Sequence, residues 1–207
     1  MKIKNLLLDM GGVILDVDYN KITEVFDTYG IDARAIYTQT TQLPLVDDFE
    51  TGQITPSQFR DGIRQLVKKD LSDEQIDGVW NSMIGNVRLD AIKLLGELKL
   101  HYDKILLFSN TNEIHMKYVR RLFYNEAGFD VFALLFDKAY FSNEIHIRKP
   151  HKESFLWVLD DAGINAEETL FIDDTLKNTE GAKTAGLNTY LLQSPATLND
   201  LHNKRII

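Results

Sequence analysis

The sequence predicts an α/β protein, a doubly wound parallel sheet with a helical block inserted near its start. Three observations predict it. Short apolar runs recur at Ile3–Leu8, Lys104–Phe108, Thr169–Ile172 and Asn188–Leu192, each bounded by glycine, aspartate or other turn formers. Segments of helical period separate the later runs. Residues 19–88 show helical periodicity with little β-type run. A short apolar run between turn signals reads as a buried strand. Strands that alternate with helices form a parallel sheet with right-handed crossovers. The expected division is therefore a core of residues 1–18 and 89–207 with a helical block, 19–88, between its two parts.

The first run, LLLDMGGVILDVD, places Asp9 at a strand's carboxyl end, before Gly11 and Gly12. In an open parallel sheet that edge is where ligands bind, and the glycines let one approach the backbone closely. After Asp18, Ile22, Val25, Phe26 and Tyr29 sit at helical spacing up to Gly30. Asp32 is a candidate cap for a second helix through Gln42, with Pro44 beyond it. Phe49-Glu50-Thr51-Gly52 reads as a turn. Thr55-Pro56 is an N-cap followed by proline at the first helical position. Ser72-Asp73-Glu74-Gln75 opens another helix with a capping-box pattern. This block either contributes core alone or forms a lid over the sheet edge. Aromatics within it, such as Tyr37 and Trp80, read as core.

From Leu89 the alternation sets in. Leu89–Leu100 is helical, and Lys104–Phe108 is a strand ending on Ser109-Asn110-Thr111-Asn112. A helix follows over Glu113–Phe123. Val131–Phe136 is apolar and ambiguous, and Ala139–Phe141 reads as a short strand. Lys149-Pro150 precedes a helix over His151–Ala162. Thr169–Ile172 is a strand ending on Asp173-Asp174, and Asn178–Ala185 is a helix closed by Gly186. The tail carries one weak helix.

Composition narrows the function. The chain has 207 residues, enough for one good-sized domain or a core with a small second one. Its net charge is −8, from 31 acidic and 23 basic residues, which disfavours nucleic acid or an anionic membrane as partner. It has no cysteine, so disulfides, thiolate catalysis and Cys-ligated metals are excluded. Its five histidines form no HxH or HxxxH pair, which points each to a surface or structural role. No apolar stretch approaches the ~18–20 residues of a membrane span, and no signal peptide is evident at the start, so a cytoplasmic location is expected.

Singly, each strand-end residue is a common cap or turn. Together, and in this order, they form a chemical set. Asp9, Asp173 and Asp174 would repel if crowded without a cation, and oxygen ligands of this kind suit Mg²⁺. Ser109 and Asn110 offer donors to phosphate oxygens near a helix start. Lys149 offers a point charge to phosphate and nucleophile. A carboxylate held beside Mg²⁺ and a lysine can attack a phosphoryl group.

Over nearly its whole length the chain resembles the haloacid dehalogenase superfamily, in the form with a helical cap between the first two motifs. LLLDMGGV matches the first motif, LLFSNTN the second, RKPH the third and FIDDTLKN the fourth. The resemblance implies Asp9 as nucleophile, with Ser109 and Lys149 completing the catalytic set. Ser109, Asn110, Lys149 and the backbone of Gly11 and Gly12 are implied as phosphate binders. The implied Mg²⁺ ligands are Asp9, the Gly11 carbonyl, Asp173 and Asp174, the last the more direct. DMGGVILDVDYN, FETGQIT and SNTNEIH are similar to a bacterial subgroup acting on sugar phosphates, α-glucose 1-phosphate among them. The implied reaction is Mg²⁺-dependent hydrolysis of a small phosphomonoester, a phosphorylated metabolite, by a monomer or homodimer.

One position departs from the family pattern. Most family phosphatases carry aspartate two residues after the nucleophile, where it moves the proton of the leaving oxygen. Here Gly11 keeps the carbonyl and loses that carboxyl. General acid–base help is worth ~10²–10⁴-fold, so the expectation is either a preference for esters whose leaving group needs little protonation, such as an anomeric sugar phosphate or an aryl phosphate, or a substitute, for which Asp16, Asp18 and Glu50 are the candidates. Two rival readings attach to Gly11: a metal-independent dehalogenase, which would not need the acidic pair, and a phosphate-binding regulatory module with weak turnover.

Overall fold

The computed structural model describes residues 2–31 and 43–207. Its centre is a five-stranded parallel sheet built from β1 (Asn5–Leu8), β4 (Lys104–Ser109), β5 (Lys138–Phe141), β6 (Thr169–Asp173) and β7 (Asn188–Leu191), in the order β5-β4-β1-β6-β7. The two remaining strands, β2 (Leu15–Val17) and β3 (Ile84–Val87), pair antiparallel with each other. β1 is central and all four of its residues are buried. Its side chains alternate faces, Leu6 and Leu8 in one apolar cluster and Leu7 in the opposite one, as the two-residue period of a strand dictates.

The chain leaves β1 toward β4 on one side and β6 on the other. That makes the carboxyl end of β1 a topological switch point, flanked by the ends of two neighbouring strands. The residues just past those three ends must converge.

Helices α1 (Asn20–Thr28), α2 (Pro44–Glu50), α3 (Pro56–Val67) and α4 (Asp73–Asn81) follow β2 and precede β3. They share an apolar cluster centred on Phe26, Phe49, Phe59 and Trp80, joined from outside the block by Ile114. Phe49 stacks on Phe59, with ring centroids 4.3 Å apart. Capping boxes at Thr55/Gln58 and Ser72/Gln75 start α3 and α4, each satisfying backbone donors left free in the first turn. The antiparallel β2–β3 pair is the stem through which the chain enters and leaves the block. Backbone bonds from Asp18 to Met83 and from Arg88 to Ile14 extend it at either end.

The remaining helices cover the sheet: α5 (Leu89–Leu98), α6 (Glu113–Ala127), α7 (Val131–Leu135), α8 (Ser142–Ile145), α9 (Lys152–Ala162), α10 (Leu176–Thr184) and α11 (Leu198–Asn203). Among the described residues no helix is long and apolar enough to cross a membrane.

Several expectations are corrected. The Asp32–Gln42 helix, and Tyr37 within it, lie outside the described residues. Pro44 opens α2 instead of trailing a helix, since its fixed φ suits a first helical position. Phe49 and Glu50 end that helix rather than forming a free turn. β3 went unread because Ile-Gly-Asn-Val carries no clear alternation; its pairing with β2 supplies what its composition lacks. Val131–Leu135 is a helix, capped by the Asp130 carboxylate. α6 runs past Phe123 to Ala127 and ends on Gly128 at φ 82°.

Candidate active site

The ends of β1, β4 and β6 bring Asp9, Ser109 and Asp173 together. The Asp9 amide continues the sheet by donating to the Ile172 carbonyl at 2.9 Å. Lys149 reaches in from the segment before α9. Its Nζ lies 2.7 Å from Asp9 Oδ1 and 2.7 Å from Asp173 Oδ2, and its side chain is 1% exposed. The ammonium also sits over the Phe108 and Phe171 rings, at 5.5 and 5.3 Å. Those rings belong to β4 and β6, so the same strands that place the carboxylates wall off the lysine from water.

Asp173 is fully buried and its oxygens are all engaged. Besides Lys149, it accepts from the Thr175 amide at 2.8 Å and from Asn178 Nδ2 at 3.1 and 3.0 Å. Asp174 is half-buried and accepts from Thr175 Oγ at 3.0 Å through Oδ1. Carboxylate oxygens of Asp9, Asp173 and Asp174 lie within 4.8 Å of one another. One ammonium faces three carboxylates.

The electrostatics follow from that count. Burial raises Asp9 to about 7; Lys149 opposes the rise, and Asp173 and Asp174 add to it. Burial raises Asp174 too, followed by the charge of Asp173. Burial alone would lower Lys149, but Asp173 and Asp9 outweigh it and the net direction is upward. The partners of the Lys149–Asp9 bond thus pull apart, one held charged and the other pushed toward neutrality. The excess negative charge explains this, and a divalent cation would remove it. The three carboxylates fit a hard cation that takes oxygen ligands.

The glycines shape the approach to this set. Gly12 has φ +68°, and a Cβ there would stand 2.3 Å from Asp174 Oδ2. Only glycine lets the loop pass so close to that carboxylate. Beside Gly11 the nearest atom to a built Cβ is Val17 Cγ2, at 3.2 Å, with Asp9 Oδ2 at 4.0 Å. Val17 of β2 therefore occupies the side of the loop where an aspartate at position 11 would begin.

Ser109 is buried at the end of β4, its hydroxyl 3.5 Å from the Asn110 carbonyl. The Asn110 side chain makes a two-way bond with the Lys149 backbone, donating to its carbonyl at 2.9 Å and accepting from its amide at 3.0 Å. That amide group thus positions Lys149. Thr111 is held by Ser142, which accepts from its amide at 2.9 Å and donates to its carbonyl at 3.1 Å.

A cavity of about 340 Å³ opens above these residues, lined on one side by Asp9, Ser109, Lys149 and Asp174 and on the other by Tyr19, Asp47 and Glu50. Of the three carboxyls proposed as substitutes at Gly11, only Glu50 lines it. Asp16 pairs with Arg88 at 2.7 Å, and Asp18 accepts from the Asn20 amide. Trp80 is core, as expected; Phe49, read from the sequence as part of a turn, is core as well, stacked on Phe59.

Residues that sequence reasoning passed over also bear on the site. Arg88 donates to the Gly12 carbonyl at 2.6 Å while paired with Asp16, tying the loop after β1 to the end of the β2–β3 stem. Arg148 pairs with Asp47 and with Glu50, the latter at 3.1 Å. Asn178 and Thr175 were legible only as neighbours of the acidic pair. Nothing in RKPH distinguishes Arg148 from a surface arginine, because its partners lie about a hundred residues earlier.

Known proteins resemble this chain over most of its length. A sequence model of the haloacid dehalogenase-like hydrolases matches residues 3–186. A D-ribitol-5-phosphate phosphatase of Bacteroides thetaiotaomicron is 29% identical over 189 residues, 91% of each chain. A sesquiterpene phosphatase of Aspergillus oryzae is 29% identical over 202 residues, 96% of this chain and 94% of its own. Among solved structures, a haloacid dehalogenase family enzyme of Bacteroides thetaiotaomicron, in complex with magnesium and inorganic phosphate, is 38% identical. It superposes with a TM-score of 0.84 over 93% of this chain and 96% of its own. A predicted hydrolase of Porphyromonas gingivalis, 24% identical with a TM-score of 0.85 and coverage of 100% and 98%, shares the fold.

Proposed function

The chain belongs to the haloacid dehalogenase-like hydrolase family, and from that premise we propose that it is a Mg²⁺-dependent phosphatase that hydrolyses a small phosphomonoester, a sugar or polyol phosphate, through an aspartyl-phosphate on Asp9. The observation that carries the reading is the cluster of Asp9, Asp173 and Asp174 around the single buried ammonium of Lys149. Such a set is short of positive charge and suits a divalent cation plus a phosphate. The relatives named as phosphatases, and the related enzyme crystallised with magnesium and phosphate, support it.

In this reading Asp9 Oδ2, the oxygen not bonded to Lys149, attacks phosphorus as the ester oxygen departs. Lys149 holds Asp9 in line and neutralises charge growing on the phosphoryl oxygens. The Ser109 hydroxyl and the backbone about Asn110 hold those oxygens, while the Asn110 amide keeps Lys149 in place. Asp174, the Gly11 carbonyl and Asp9 would hold the cation, with Asp173 behind them orienting Lys149 and Asn178. Magnesium, when bound, neutralises the carboxylates and polarises the phosphoryl group. The departing oxygen takes its proton from water, and a water molecule then attacks the phosphorus of the aspartyl-phosphate, which releases inorganic phosphate and regenerates the Asp9 carboxylate. Residues 19–88 serve as a cap that closes over Asp9 and excludes bulk water. A dehalogenase reading leaves the excess of carboxylates without a purpose, and the intact Asp9–Lys149 pair argues against a purely regulatory module.

The test is phosphate release from a panel of sugar phosphates, polyol phosphates and an aryl phosphate, with Mg²⁺ or with EDTA, and with Asp9→Asn as blank. Release that needs Mg²⁺ and vanishes in Asp9→Asn is expected. Release that persists in EDTA, or equally in Asp9→Asn, would overturn the mechanism.

A further inference from the structure

The stem of the helical block grips the loop after β1 at several points. Arg88 directly follows β3, where the chain re-enters the core. Its amide donates to the Ile14 carbonyl at 3.0 Å. Its guanidinium is forked: Nη1 donates to the Gly12 carbonyl at 2.6 Å and Nε to Asp16 Oδ1 at 2.7 Å. Asp16 lies at the register irregularity of the β2–β3 pair, between Leu15 and Val17. There β3 comes so close that a Cβ on Gly85 would stand 2.9 Å from Asp16 Cβ. The packing of the stem thus sets Asp16, and Asp16 sets the plane of the guanidinium.

Gly12 is bonded through both of its backbone polar groups. Its amide donates to the Leu15 carbonyl at 2.8 Å, and its carbonyl accepts from Arg88. The Gly11–Gly12 peptide is trans, so its N–H and its carbonyl point in opposite directions. With the N–H directed at the Leu15 carbonyl, the Gly11 carbonyl faces away from β2. Asp174 leaves Gly12 no room for a side chain that could pin the loop by packing, so backbone bonds must do it. Two successive glycines have more conformations to lose than any other pair. The bond from Arg88 is charge-assisted, the stronger kind.

We infer that Arg88 is a positioning residue for the reaction. By holding the Gly12 carbonyl it keeps the Gly11–Gly12 peptide in a single orientation, so that the Gly11 carbonyl stands ready for the cation and the cap's stem sets the geometry of the loop that follows the nucleophile. The part played by the cation rests on the Mg²⁺-dependent reading above; the lock between Arg88 and the loop does not.

The experiment compares Arg88→Met, Arg88→Lys, Asp16→Ala and Val87→Ala with the natural protein. Hydrogen exchange of the metal-free protein is read across residues 10–15, Mg²⁺ binding by calorimetry, and kcat and KM on an aryl phosphate. In Arg88→Met, exchange should quicken about tenfold, the Mg²⁺ dissociation constant should rise about tenfold, and kcat should fall to match with KM little changed. That is the scale of one hydrogen bond from a charged donor. Arg88→Lys can still donate to the Gly12 carbonyl, without the fork, and should recover most of the loss. Asp16→Ala, a milder change that leaves the arginine unaligned, should give an intermediate rise of about threefold in exchange and dissociation constant. Val87→Ala loosens the stem with the guanidinium in place; it should lower the urea midpoint and spare Mg²⁺ affinity. Unchanged exchange in both Arg88→Met and Asp16→Ala would overturn the inference. So would a loss of Mg²⁺ affinity as large in Val87→Ala as in Arg88→Met, or one that Arg88→Lys does not recover. A natural protein that binds no Mg²⁺, with loop exchange still faster in Arg88→Met, would instead sink the metal-dependent reading and leave the lock standing.

Discussion

Val17 stands where a side chain at position 11 would start, and this sets what a substitution there can do. An aspartate at Gly11 needs Val17 Cγ2 to yield a few tenths of an ångström from 3.2 Å. Gly11→Asp alone is therefore expected to raise turnover of esters with basic leaving groups only weakly. Gly11→Asp combined with Val17→Ala should raise it further, toward the ~10²-fold lower range of general acid–base help. Steady-state rates across leaving groups of increasing basicity check this; a double variant no faster than the single one would show that Val17 is no obstacle. His115 is a second residue with a sharp expectation. It is buried, its Nε2 lies 3.0 Å from the Trp80 carbonyl, and its ring stacks on Trp80 at 5.4 Å, joining α6 to α4. Burial lowers it from 6.5 to about 4, the Trp80 bond opposing. The unfolded chain thus takes up a proton that the folded chain refuses between those values, so stability falls as pH drops from about 6.5 to 4. The two values differ enough to be worth about 3 kcal/mol. Urea melts at pH 7 and 4.5 should show a smaller pH-dependent loss in His115→Gln than in the natural protein.

Elements place these residues, and at this scale the sequence was informative about some and silent about others. The runs that became β1, β4 and β6 were visible because a strand buried on both faces is apolar throughout, which is also why Asp9, Ser109 and Asp173 stood out at their ends. Thr55 and Ser72 were legible as caps because capping chemistry is local. The β2–β3 stem was not, since each strand is stabilised by the other across a gap of some seventy residues. Nor was the docking of the α2 end onto α8, which depends on Gly52, Asn143, His146 and Arg148 meeting in space. Gly52→Ala tests that docking. Its φ of +65° and the 2.3 Å approach to the Asn143 carbonyl leave no room for a methyl group. Faster hydrogen exchange across residues 43–54 is expected, together with a several-fold loss in kcat/KM on sugar phosphates. Unchanged exchange would mean that the turn does not hold the α2 end in place.

Across the whole molecule the decisive quantity is the negative charge that folding concentrates at one place. The chain has a net charge of −8, but most of its acids are exposed and screened, whereas Asp9, Asp173 and Asp174 share one buried lysine. A cation that binds there stabilises the folded state only, because the unfolded chain has no preformed site. At a hundred times its dissociation constant, Mg²⁺ should add about 2.7 kcal/mol. For a domain of this size that is a rise in Tm of about 5–10 °C, at the customary ~2–4 °C per kcal/mol. EDTA should reverse it, and Asp174→Asn should abolish most of it while changing the metal-free Tm little or upward, since it relieves repulsion. Lys149→Met should act in the opposite sense. It leaves buried carboxylates with no counter-ion, which costs the metal-free protein about 3–5 kcal/mol, and makes the remaining fold depend on Mg²⁺ more steeply than before. Thermal melts of the three proteins across a Mg²⁺ series separate these outcomes. A Tm indifferent to Mg²⁺ in the natural protein would show that Lys149 alone balances the cluster and that no divalent cation is held between its carboxylates.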